Sequence, residues 1–145
     1  MKIEANEEFE EFEENWKETK MKKVKLAVVG VGNCASSLIQ GIEYYRQHHN
    51  EHSDGIMQPQ INGWRPQDIK IVAAFDIDKR KVGLPIAKAI FAEPNCTTVF
   101  QKLIPVNGVR VKMGPLLDGM ADHMKEYSES QSFRVADEKP VNVVE

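Results

Sequence analysis

The chain has 145 residues, of which 41% are hydrophobic and 28% charged, so it can bury one modest core and has the length of one domain. Its formal net charge of −3 provides no basic excess for phosphate backbones, so nucleic acid is not an expected partner. The apolar runs are far shorter than the roughly 20 residues that cross a bilayer, and no signal peptide is recognisable, so we expect no membrane partner and a cytoplasmic location.

The N-terminal stretch differs in composition from the rest. Its first 20 residues contain eight glutamates and three lysines. We therefore predict an acidic tail over 1–20 and a folded domain over 21–145. Phe9, Phe12 and Trp16 recur at helical spacing, so the tail could dock as a helix. The alternative, which we favour, is a solvated tail, because charge-dense termini seldom pack.

A strand, a tight turn and a helix come next. Residues 24–29 form a β-rich run that stops at Gly30, and helical spacing begins at about Asn33. Apolar residues at that spacing predict the face that packs on a sheet: Ala35, Leu38, Ile39, Ile42 and Tyr45. Polar residues predict the opposite face of the helix: Ser36, Ser37 and Gln40.

Further elements follow an insertion over 48–68, which holds three histidines, two prolines and two glycines without periodicity and predicts a long surface loop. We predict two more strands and two more helices: strands over 70–76 and 109–113, helices over 79–91 and 117–127. The apolar segment 141–145 has no terminator after it, which predicts that the chain stops inside an element.

This order of elements predicts the fold class. Alternating strands and helices, with nearly continuous apolar strands, indicate a Rossmann-type parallel sheet with helices on both faces, incomplete at its C-terminal end. Right-handed crossovers would place the first strand beside the second and the second beside the third.

The turn after the first strand carries the chemistry. Its sequence, Gly30-Val31-Gly32-Asn33-Cys34-Ala35, is a Gly-x-Gly-x-x-Ala fingerprint. The first glycine permits the tight turn, the second lets a pyrophosphate approach the backbone, and the alanine allows close packing of helix on strand. The N–H groups at the helix start would face the phosphates. We therefore predict dinucleotide binding by all six residues, against the alternative of an ordinary turn.

The end of the second strand supports that prediction. Asp76 stands where a carboxylate accepts hydrogen bonds from the adenosine ribose and repels a 2′-phosphate, and the insertion accounts for its distance along the chain from Gly30. NAD is therefore favoured over NADP. Lys79 and Arg80 could instead pair with a 2′-phosphate, although a solvated basic turn is the simpler interpretation.

Three other groups of residues leave alternatives open. Asp118 follows the third strand and could contact the cofactor, cap a helix, or do both. The histidines at 48, 49 and 52 lack carboxylates in a ligand pattern, so we predict a loop and no metal site. The cysteines at 34 and 96 are too few for a disulfide framework, and we expect both to be reduced.

Several stretches resemble the prokaryotic-type inositol-3-phosphate synthases. The most specific is Gly-Asn-Cys-Ala-Ser-Ser over 32–37, and the resemblance covers about residues 24–145. The other matching stretches occur in the order expected for the family: 41–45, 72–78, 81–83, 89–97 and 114–119. The acidic tail lies outside the resemblance.

The resemblance implies an NAD-dependent isomerase that converts glucose 6-phosphate into inositol 3-phosphate by oxidation, intramolecular aldol cyclisation and reduction, for inositol and phospholipid biosynthesis. It also implies a homo-oligomer, a tetramer, and for some members a divalent cation. The family's catalytic lysines and metal ligands are expected beyond residue 145, so this chain should not catalyse alone. Lys88, Lys102 and Lys112 match none of those lysines and are expected to be surface residues.

Two other functions stay open. One is the NAD-binding domain of another dehydrogenase or reductase, which the Asn33-Cys34-Ala35 turn and the insertion disfavour. The other is a stand-alone, non-catalytic NAD-binding module.

Overall fold

The computed structural model describes residues 23–48, 55–106 and 108–143. The predicted acidic tail and its aromatic stripe lie outside the described residues, as do parts of the 48–68 insertion. No helix in the described part is long and apolar enough to cross a membrane.

The described strands form an open parallel sheet of three strands, in the order β1-β2-β3. Strand β1 is Val24–Val29, β2 is Ile69–Asp76 and β3 is Val111–Met113. Helix α1, Asn33–Gln47, lies in the connection from β1 to β2, and the short helix α2, Ile86–Ala89, lies in that from β2 to β3. The structure is a partial Rossmann-like α/β fold, which confirms the predicted fold class, strand order and helix start at Asn33.

Aliphatic residues of the strands and α1 form the core. Their apolar runs predicted this burial. Fully burying a large aliphatic side chain contributes roughly 1.5–3 kcal/mol to the stability of the fold. The core residues contributed by the sheet and α1 are Val28, Ala35, Ile39, Ile42, Ile71, Ala74 and Val111. Ile86, Ala89, Ile90 and Ile104 belong to the same cluster.

The predicted faces of α1 are partly wrong. Leu38 is 46% exposed, whereas Ser36 and Gln40 are fully buried. The physical reason is a later segment that covers the polar side of the helix: the Gln40 Oε1 atom accepts the backbone N–H groups of Phe100 at 3.0 Å and Gln101 at 3.1 Å. A buried amide with these partners replaces its hydration by protein hydrogen bonds.

Both later helices were predicted too long. Only Ile86–Ala89 is α-helical within 79–91, because Gly83 adopts a positive φ of 82° and Pro85 then interrupts the backbone N–H pattern. Within 117–127 only Asp122–Glu126 is helical, as a 3-10 helix that follows Gly119 with a φ of 71°. Residues 141–143 lie in no helix or strand, so the prediction of a final element fails for them.

Strand β1 pairs on one side only within the described sheet, and its last residue, Val29, is 75% exposed. Unpaired strand edges with apolar side chains favour association. We expect the 145-residue polypeptide to self-associate, and Val29→Lys to reduce the apparent mass measured by light scattering. The control is Met57→Lys, which changes a 99% exposed methionine outside the sheet and should leave the mass unchanged. A strictly monomeric wild-type chain would contradict the prediction.

Candidate nucleotide site

The Gly-rich turn and Asp76 meet at the carboxyl edge of the sheet. Parallel pairing places Val29 opposite Phe75, and the Gly30 N–H donates to the Phe75 carbonyl at 2.8 Å. Gly30 has a φ of 88°, a backbone conformation that residues with a Cβ rarely adopt. The turn therefore depends on glycine at this position, as its sequence predicted.

The carboxylate of Asp76 binds backbone groups of both strand ends. Its Oδ2 atom accepts the Val31 N–H at 2.6 Å, and its Oδ1 atom accepts the N–H groups of Ile77 at 2.7 Å and Asp78 at 2.8 Å. A carboxylate offers about four acceptor positions, so roughly one is left, on Oδ2. Asp76 can thus accept one further hydrogen bond from a ligand while it holds the turn.

The other side of the Val31 peptide is held from the interior. The Val31 carbonyl accepts Lys81 Nζ at 2.9 Å and Asn95 Nδ2 at 3.0 Å, and Lys81 Nζ also donates to Asn95 Oδ1 at 2.8 Å. Lys81 is only 3% exposed. Burial lowers its pKa, opposed by the charges of Asp76 and Asp78. Sequence reasoning missed Lys81 and Asn95, whose only signal was their place in stretches that resemble the family.

The start of α1 presents free donors beside this turn. The first helical hydrogen bond runs from the Ser36 N–H to the Gly32 carbonyl at 2.9 Å. Within the described ranges, the N–H groups of residues 32–35 have no acceptor. A Cβ built on Gly32 meets no atom within 4 Å, so there is open space beside Gly32. Partial positive charge at a helix N-terminus favours an anion there.

Asn33 and its neighbours attach a second loop to this helix start. The Asn33 Oδ1 atom accepts the Cys96 N–H at 2.8 Å and the Thr97 hydroxyl at 2.9 Å. Its side chain therefore faces the 96–97 loop, and its backbone N–H has no acceptor in the described part of the chain. Cys34 and Cys96 are both free and exposed.

Arg80 is not part of a solvated basic turn, so that interpretation is wrong for this residue. The guanidinium is 17% exposed and donates hydrogen bonds to the carboxylate of Asp78 from Nε at 3.0 Å and from Nη2 at 2.7 Å. It also donates to the carbonyls of Glu129 and Ser132. These contacts use four of its five N–H donors, and Nη1 also lies 3.8 Å from a carboxylate oxygen of Glu93, so the guanidinium is engaged within the chain. Lys79, by contrast, is exposed and pairs with Glu129 at 3.2 Å.

Asp78 is the buried partner of this pair. Burial alone would raise the pKa of its carboxyl, but the hydrogen bonds and charge of Arg80 outweigh that effect and lower it. The segment over 129–136, which accepts hydrogen bonds from Arg80, also attaches to the end of β2. The Lys79 N–H donates to the Arg134 carbonyl at 2.7 Å, and the Ala136 N–H donates to the Ile77 carbonyl at 2.8 Å.

Asp118 is exposed and makes no hydrogen bond or ion pair with the turn in the described part of the chain. It does not cap a helix, since the 3-10 helix begins at Asp122 with Ala121 as its N-cap. The helix-cap alternative for Asp118 is therefore wrong, and its contact with a cofactor stays a prediction. The three lysines expected at the surface, Lys88, Lys102 and Lys112, are all exposed.

Among the described residues, no cluster of three or more His, Cys, Asp or Glu side chains could hold a metal ion. His48 stacks on Tyr44 with ring centroids 4.3 Å apart, while the histidines at 49 and 52 lie outside the described ranges.

A cavity of about 380 Å³ lies at the opposite edge of the sheet, near Lys23, Ile42 and Ile69, and shares no residue with the Gly-rich turn.

Comparison with known proteins identifies relatives of this chain. It is 41% identical over 123 residues to an inositol-3-phosphate synthase of Corynebacterium glutamicum, a match that covers 84% of this chain and 32% of the relative. It is 42% identical over 124 residues to that of Mycobacterium tuberculosis, covering 85% of this chain and 32% of the relative. No family model matches the chain.

A solved structure is also similar. The crystal structure of Ari2 superposes with a TM-score of 0.59 at 40% sequence identity, covering 64% of this chain and 29% of that one. The chain is thus homologous to the inositol-3-phosphate synthases over most of its length, and spans about one third of theirs.

Proposed function

We propose, on the premise of this homology to the inositol-3-phosphate synthases, that the chain is the NAD-binding part of such an enzyme, which isomerises D-glucose 6-phosphate to 1D-myo-inositol 3-phosphate. The observation that carries the proposal is the Gly-rich turn, with unpaired N–H groups and open space beside Gly32, in a chain about 41% identical to those enzymes. The resemblance further supports a homo-oligomeric, cytoplasmic enzyme. The alternative functions lack a comparable observation in their favour.

The residues of the turn fit a dinucleotide. The N–H groups of Gly32, Asn33, Cys34 and Ala35 would bind the pyrophosphate, since unpaired donors at a helix start suit an anion. The space beside Gly32 would admit it. Gly30 and Val31 would shape the turn through the Phe75 carbonyl and Asp76. Asp118 is proposed to approach the cofactor from the loop after β3.

When bound, NAD would accept a hydride from the sugar and return it, so that the reaction is a net isomerisation. This chain's own residues would bind and orient that cofactor at the carboxyl edge of the sheet. We propose that the groups that bind the sugar and move its protons, as well as any cation, lie in the part of the relatives that this chain does not span.

Calorimetric titration of the 145-residue chain with NAD⁺ tests the proposal. We expect saturable binding with one site per chain, and no formation of inositol phosphate when glucose 6-phosphate is added. Absence of NAD⁺ binding by a folded chain would overturn the cofactor assignment, and turnover would overturn the assignment of catalysis to other residues.

Cofactor choice gives a separate prediction. We expect NAD⁺ to bind at least about 10-fold more tightly than NADP⁺, because the Asp76 carboxylate repels a 2′-phosphate and Arg80 is engaged with Asp78. Asp76→Asn, which removes the negative charge, should bring the affinities for NAD⁺ and NADP⁺ closer together. Because Asp76 also accepts three backbone N–H groups, the variant should unfold at a lower temperature. The control is Asp122→Asn at an exposed position, and a wild-type preference for NADP⁺ would contradict the prediction.

A further inference from the structure

The orientation of one peptide group decides what the Gly-rich turn offers a ligand. The Val31 carbonyl and the Gly32 N–H belong to the same planar trans peptide, so they point in opposite directions. If the carbonyl faces the interior, the N–H must face the open side of the turn. If the peptide turns over, an oxygen faces that side and repels an anion.

The carbonyl is held inward by two side chains. Lys81 Nζ donates to it at 2.9 Å and Asn95 Nδ2 at 3.0 Å. Asn95 is held in turn, because its Nδ2 also donates to the Ile90 carbonyl at 3.0 Å and its Oδ1 accepts Lys81 Nζ at 2.8 Å. The two donors thus form a closed network around one carbonyl oxygen.

The preceding peptide is held in the same way. The Val31 N–H donates to Asp76 at 2.6 Å, so both peptides that flank Val31 have a fixed direction. The Val31 side chain is fully buried, which also opposes rotation of the turn. Outside, nothing described accepts the Gly32 N–H, and a Cβ on Gly32 would meet no atom within 4 Å.

We propose that Lys81 and Asn95 are positioning residues, which keep the Gly32 N–H directed at the phosphates of a bound dinucleotide by holding the Val31 carbonyl inward. This inference rests on the proposed function and deepens it. Neither side chain needs to touch the ligand, since each acts through the Val31–Gly32 peptide. The buried ammonium of Lys81 also places a positive charge behind the turn, on the side away from the ligand.

The test replaces Lys81 by methionine, an unbranched side chain of similar length, in the whole 145-residue chain. We expect the affinity for NAD⁺ and for ADP-ribose to fall by about 10- to 100-fold, the range expected for lost hydrogen bonds to a charged group. Adenosine, which has no phosphate, should bind to the variant with the same affinity as to the wild-type chain. The Gly32 amide resonance should shift in the variant before any ligand is added.

The matched control is Lys102→Met, at an exposed lysine outside this network, which should leave every affinity unchanged. If Lys81→Met does not fold, Asn95→Ser, which removes one of the two donors, carries the test with the same pattern and a smaller loss. Unchanged NAD⁺ affinity in a folded variant, or equal losses of affinity for NAD⁺ and adenosine, would overturn this inference and leave the proposed function standing. A wild-type chain that does not bind NAD⁺ would overturn the proposed function as well.

Discussion

Gly32→Val is expected to abolish NAD⁺ binding while leaving the fold intact. The backbone at Gly32 has φ −89° and ψ −162°, an extended conformation that valine adopts readily, and no atom lies within 4 Å of a Cβ built there. The branched side chain would occupy the space above the helix start and separate the phosphates from several N–H groups. Losing two or more such bonds, each worth about 1.5–3 kcal/mol, should weaken binding by about 100-fold or more.

The matched control is Gly41→Ala, inside α1, where a Cβ also meets no atom within 4 Å. Replacing a glycine within a helix stabilises it by about 0.5–1 kcal/mol and should not alter NAD⁺ affinity. Calorimetry measures the affinities, and thermal unfolding monitored by circular dichroism measures stability. If Gly32→Val binds NAD⁺ like the wild-type chain, the turn is not the phosphate site.

Arg80→Ala is expected to cost about 3–5 kcal/mol of unfolding free energy, because it leaves the carboxylate of Asp78 buried without its cation. The variant also loses the hydrogen bonds to the carbonyls of Glu129 and Ser132, which attach the later segment to the carboxyl edge. Urea unfolding of both proteins measures the difference.

Two further variants make this test specific. Lys79→Ala removes the neighbouring, half-exposed cation and should cost no more than about 1 kcal/mol, the usual limit for surface ion pairs. The double variant Asp78→Leu/Arg80→Met buries no lone charge and should be more stable than Arg80→Ala. A loss in Arg80→Ala no greater than that in Lys79→Ala would contradict the role of the pair.

The same pair predicts a pH dependence. Arg80 lowers the pKa of Asp78 in the folded protein below its ordinary value of 3.8, so the folded state binds the proton less readily than the unfolded chain. The stabilisation is therefore complete above pH 3.8 and is lost as the pH falls through the lower, folded-state pKa. The difference in stability between wild type and Arg80→Ala should accordingly shrink in acid.

The sequence alone determined the sheet and the turn. Strand positions and the helix start at Asn33 follow from local apolar runs and from glycines, because these signals act over a few residues. The parallel order follows from the alternation of strands and helices together with the handedness of crossovers. The local glycine signal also places Gly30 at a positive φ, and parallel pairing of the two predicted strands brings Asp76 to the same edge of the sheet. Resemblance in short motifs was also sufficient to indicate the homology later found.

Tertiary structure decided the environment of each polar side chain. Nothing in the sequence indicates that Gln40 is buried by residues 98–101, or that Lys81 and Asn95 meet at the Val31 carbonyl, 50 and 64 residues away along the chain. Arg80 likewise is a largely buried cation and not a solvated one, because its guanidinium also donates to the carbonyls of Glu129 and Ser132. Periodicity reports which face of an element is apolar, whereas burial of a polar group depends on partners supplied by distant segments.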